Sequence, residues 1–129
     1  MNASSVLVYI GSIIIFAWGV SHIIPTKSVV KSFELKEIDQ RRILKMEWVS
    51  EGLTLCFIGI LAAVTTINGN ENKLGKIVLI CLSSMLLIMA GWTQLTGAKT
   101  KIIPIKLCPI VKSLVAFIFI ISIVIKWNK

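Results

Sequence analysis

The stretch IVLICLSSMLLIMAGWTQL, residues 77–95, decides the fold: nineteen residues pass without one charged side chain. A helix needs roughly 20 predominantly apolar residues to cross a hydrocarbon core of ~30 Å. Three more runs of the same kind lie around it. Val6 to Ile24 is stopped by Pro25, and Trp48 to Ile67 is followed by the turn residues Asn68-Gly69-Asn70. Leu107 to Ile125 carries Pro109, read as lying in the first helical turn, where its missing N–H costs little. Lipid offers no partner for backbone N–H and C=O groups, so these runs are predicted to be helices. The expected fold is all-α: a single domain, 1–129, forming an antiparallel bundle of four transmembrane helices.

Composition agrees. Apolar residues make up 56% of the 129 and charged residues only 16%, where a soluble domain is about half apolar and a quarter charged. Mean hydropathy is +0.88. The first run has no basic segment before it and no small-residue cleavage site after it, so it reads as a retained helix and not as a secretory leader. The formal charge of +8 comes mostly from residues beside the runs. It carries no aromatic-basic pattern that would point to nucleic acid. Lys27, Lys31, Lys36, Arg41, Arg42 and Lys45 lie in the first loop, with Lys99, Lys101 and Lys106 in the third. The other side of the membrane holds Lys73, Lys76, Lys126 and Lys129. The positive-inside bias then predicts a cell (cytoplasmic) membrane protein with the first and third loops cytoplasmic and both termini outside. Tyr9 and Trp127 are expected at the outer interface, and Trp48 and Trp92 at the inner one. Asp39 is a candidate cap for a second helix that begins before its apolar run. Between Lys27 and Ile38, either a short amphipathic piece using Val29, Val30 and Phe33 or a solvated connector fits.

Four antiparallel helices bring alternate ends to one face, and the unusual residues gather there. Trp18, Ser21 and His22 close the first run, and Glu47, Trp48 and Glu51 open the second. Trp92, Thr93, Gln94 and Thr96 close the third, and Cys108 and Lys112 open the fourth. Glu51 is the sharpest of these. A carboxylate inside a span is expensive unless it faces the bundle, finds a partner or takes up a proton. Lys112 and His22 are the partners within reach. For Lys112 the alternative is a side chain that snorkels to the interface, for His22 a satisfied helix-end residue, and for Glu51 an ion pair that serves helix packing alone. The candidate ligand-binding set is Glu51, His22, Trp18, Trp48, Trp92, Gln94 and Lys112.

Cys56, Cys81 and Cys108 lack metal-site spacing and read as small buried apolar residues. No metal and no cofactor is expected. Met85 and Met89 read as packing. Gly11, Gly19, Gly52, Gly59 and Gly91 read as sites of close helix approach, with Ser83, Ser84 and Thr54 bonding between helices. No catalytic motif is present.

Gly19-Val20-Ser21-His22 followed by Pro25, Glu51-Gly52 early in the second run, and Gly91 with Gly97 around the end of the third resemble the DoxX-like group of small four-helix membrane proteins. The resemblance implies a four-helix bundle in a bacterial cytoplasmic membrane, in some members linked to redox or quinone-associated systems. It carries over no catalytic residue.

Three functions remain open on these residues. The first is binding of a small amphipathic ligand, or of a partner membrane subunit, in a polar vestibule on the cytoplasmic side. The second is proton-coupled transport by a homo-oligomer. The third is an isomerase-like intramembrane enzyme acting on a lipid-like substrate; it requires His22 and Glu51 within about 10 Å of each other for a proton relay.

Overall fold

A computed structural model of the chain describes residues 2–69, 72–97 and 99–127. Asn70 of the predicted turn, Lys129, and the side chains of Lys126 and Trp127 lie outside the described residues.

Among the described residues five helices follow one another: α1 (Ala3–Ile23), α2 (Thr26–Ser32), α3 (Ile38–Ile67), α4 (Lys73–Thr96) and α5 (Ile103–Trp127). All but α2 are long and apolar enough to cross a bilayer. The chain is a multi-pass membrane protein with an all-α, four-span bundle. At 1.5 Å per residue, the 21 residues of α1 reach about 31 Å, the width of a hydrocarbon core. The 30 residues of α3 reach about 45 Å, so this helix extends well beyond the lipid core.

Every spanning helix begins before its apolar run. For α5 this matters, because a start at Ile103 places Pro109 inside the helix and not in its first turn. Lacking an N–H, Pro109 leaves the Ile105 carbonyl without its usual donor. Polar and basic residues extend all four helices, since an N-terminal turn at the membrane surface meets water and needs no apolar side chains. The segment after α1 resolves in favour of the amphipathic piece: α2 buries Val29 while Val30 and Phe33 are half-buried.

Packing is uneven around the bundle. Helix pairs α1–α3, α1–α5 and α4–α5 touch along much of their length, whereas α3 and α4 meet sparsely. The order around the bundle is therefore α3, α1, α5, α4, with the last seam loosely closed. The shared core includes Val8, Ile15, Leu55, Leu79, Leu86, Val115 and Phe119. Phe57, Ile60, Ile88, Ile110 and Phe117 point outward and are exposed, as lipid contact requires.

Glycines set the tightest contact. A Cβ on Gly19 would sit 2.6 Å from the Gly52 carbonyl oxygen, and one on Gly52 would sit 2.8 Å from the Gly19 carbonyl oxygen. Gly59 backs onto the Ser12 carbonyl in the same seam. Gly91 departs from the expectation: nothing lies within 4 Å of its Cβ position. Ser83 and Thr54 also depart from it, bonding the carbonyls of Leu79 and Ser50 in their own helices. At the end away from α2, Ser4 Oγ donates to the Ser122 carbonyl (2.9 Å) and ties α1 to α5.

Candidate functional site

The end of α1 needs partners for its last carbonyls, because Pro25 offers no N–H. Thr26 Oγ1 donates to the carbonyls of Ile23 (2.7 Å) and His22 (3.1 Å). Trp48 Nε1–H, from α3, also donates to the His22 carbonyl (2.6 Å). Trp48 is thus buried at a helix junction, with its N–H taken by a protein carbonyl. Its indole stacks on the His22 ring, with centroids 4.8 Å apart and planes at 24°. Trp18 meets the same imidazole edge-on at 5.6 Å.

His22 Nδ1 lies 3.0 Å from the Trp18 carbonyl. A carbonyl can only accept, so Nδ1 carries the hydrogen and Nε2 presents a lone pair when the ring is neutral. That lone pair faces Cys108 Sγ at 3.6 Å. The same sulfur takes the Trp18 Nε1–H at 3.5 Å and lies 3.5 Å from Glu51 Oε1.

Lys112 is fully buried and donates from Nζ to Glu51 Oε1 and to Thr93 Oγ1, the latter at 3.0 Å. It does not snorkel. Glu51 keeps 27% of its side-chain surface exposed. The exposed part borders a cleft of about 430 Å³, a size suited to a small-molecule ligand. Residues of α3 (Glu47, Ser50, Glu51, Thr54) line one wall and residues of α4 (Met89, Trp92, Thr93, Thr96) the other. His22, Cys108 and Lys112 also line it, so the cleft lies along the loosely closed α3–α4 seam.

No protein-family model matches the chain, and neither does any curated protein or solved structure. The site is therefore read from its own chemistry.

Of the seven sequence candidates, Glu51, His22, Lys112, Trp18 and Trp48 meet in this contact network, and Trp92 stands exposed on the cleft wall. Gln94 lies elsewhere, in a separate depression with Pro109 and Ser113 between α4 and α5. Helical geometry explains the split: Met89, Thr93 and Thr96 share a face at three- and four-residue spacing, and Gln94 is rotated about 100° from Thr93. Two contributors fell outside the candidate set. Thr93 holds the Lys112 ammonium, and Cys108, expected to be an inert apolar filler, is the centre of the polar contacts. The signal for Cys108 was its position four residues before Lys112, one turn away on the same helix face.

Proposed function

We propose that the protein binds a small amphipathic molecule, its polar head over Glu51 and its apolar part lying along the α3–α4 seam. The single observation behind this reading is a cleft in which Leu44, Met89, Trp92 and Ile105 lie beside Glu51 and Lys112, along the most sparsely packed seam of the bundle among the described residues. A few converging polar groups in an apolar recess are the usual make-up of such a site. A partner subunit's helix is the alternative occupant. The basic loops favour a cytoplasmic position for this end of the bundle, in keeping with the bacterial cytoplasmic membrane implied by the DoxX-like resemblance.

A second reading has one observation in its favour. His22, Cys108 and Glu51 present lone-pair atoms within 4.8 Å of one another, inside the roughly 10 Å limit for a water-linked proton relay between His22 and Glu51. Nothing comparable favours proton-coupled transport.

The test uses the protein in nanodiscs and a nitroxide-labelled single-chain amphiphile that quenches tryptophan emission. Saturable quenching is expected from Trp18, Trp48 and Trp92. Ser50→Phe, at an exposed cleft-wall position and adding no tryptophan to the read-out, should weaken it at least about tenfold by filling the mouth. Quenching that rises linearly with probe and is equal in both proteins would show mere partition into lipid.

A further inference from the structure

Cys108 Sγ faces two acceptors at once, His22 Nε2 at 3.6 Å and Glu51 Oε1 at 3.5 Å. A thiol has one proton and can satisfy only one of them. Nitrogen, sulfur and oxygen lone pairs thus converge, all within 4.8 Å, with fewer protons than electron pairs. We propose that His22, Cys108 and Glu51 form a site for one zinc-class divalent transition-metal ion, with its fourth coordination position open to the cleft.

The spacing fits. Zinc lies about 2.3 Å from sulfur and about 2.0 Å from nitrogen or oxygen, so a tetrahedral ion sets nitrogen–sulfur and sulfur–oxygen edges of about 3.5 Å. Two edges of the cluster already have that length. The third must close to about 3.3 Å, a movement available to a carboxylate on a rotatable, part-exposed side chain.

The surroundings fit as well. A ligating imidazole usually donates its other N–H to a carbonyl or carboxylate, which fixes the ring; His22 does so to the Trp18 carbonyl. Ligating carboxylates are themselves held by hydrogen bonds, and Lys112 holds Glu51. Binding turns the Cys108 thiol into a thiolate, so each ion bound releases the thiol proton to the cleft, while the Glu51 carboxylate is shared between the ion and Lys112. Glu47 lines the cleft wall one turn from Glu51. A mixed nitrogen, sulfur and oxygen set suits zinc or cobalt and not the all-oxygen preference of magnesium or calcium. Three protein ligands plus an open position leave room for water or the head of a bound molecule. The inference deepens the ligand-binding reading, and its test uses the ion alone, so either can fail without the other.

Tag-free protein in nanodiscs is titrated with Co²⁺ and followed by absorption. A saturable thiolate-to-cobalt charge-transfer band in the near ultraviolet is expected, displaced by Zn²⁺. The band should persist in the Cys56→Ser, Cys81→Ser double variant and vanish in Cys108→Ser. His22→Ala should weaken cobalt binding by about tenfold or more. Absence of a saturable band in the unaltered protein overturns the site, as does a band that survives Cys108→Ser. The first of these outcomes needs no variant to fold.

Discussion

Lys112 is the largest fully buried side chain among the described residues, and the local structure turns on how its charge is met. Carrying an ammonium out of water is expensive, and the expense is offset only when a counter-charge and hydrogen bonds are in place. Glu51 supplies the first and Thr93 adds to the second. Thr93→Val keeps the volume and removes one acceptor from a buried charge, and should cost about 1–3 kcal/mol in unfolding titrations. Trp48→Phe retains a ring beside His22 but removes the indole donor to the His22 carbonyl. Because Thr26 still serves that carbonyl, the loss should be only about 1 kcal/mol. Glu51, Lys112 and His22 were legible in the sequence because ionisable groups inside apolar runs demand partners. Cys108 was not, since a cysteine in a hydrophobic run looks the same whether its sulfur meets methyl groups or a histidine. The groups around that sulfur, Trp18 and His22 on α1 and Glu51 on α3, all come from helices other than its own α5, so no sequence spacing records them.

At the scale of elements, the α1–α3 contact sets the depth at which His22 meets Trp48. Alanine at Gly19 or Gly52 would drive a methyl group into the backbone of the facing helix. Each change should destabilise the bundle by about 1–3 kcal/mol. Gly91→Ala meets open space and gains helix propensity, so it should be neutral or stabilising by up to about 1 kcal/mol. Thermal unfolding of the three variants in one detergent separates these outcomes; equal losses would mean that Gly91 also faces a neighbour. Glycine content alone could not tell the two kinds apart, because helix propensity is the same on a lipid-facing surface and in a seam. The four spans were legible from hydropathy, but their starts were not. The turns that precede the apolar runs, such as Ile38–Glu47 of α3, are polar and lie where water satisfies them, so hydropathy goes silent while the helix continues.

Across the whole molecule, the outer surface is apolar and the sparse α3–α4 seam leaves the bundle open along one side. Orientation is testable independently. With the native cysteines replaced, Lys36→Cys and Lys101→Cys should resist a membrane-impermeant maleimide in intact cells, and Lys73→Cys should react. The reverse pattern would place the cleft on the opposite face of the membrane. The most direct test of the central claim, that a buried Lys112 pairs with a part-exposed Glu51 at the floor of that cleft, is a double-mutant cycle on stability in nanodiscs. Glu51→Gln and Lys112→Met should each destabilise by about 2–4 kcal/mol, since each strands the other charge. The double variant should recover much of that loss, giving a coupling of at least about 1 kcal/mol. Strictly additive losses would mean that the two side chains do not meet, and the cleft would lose its floor.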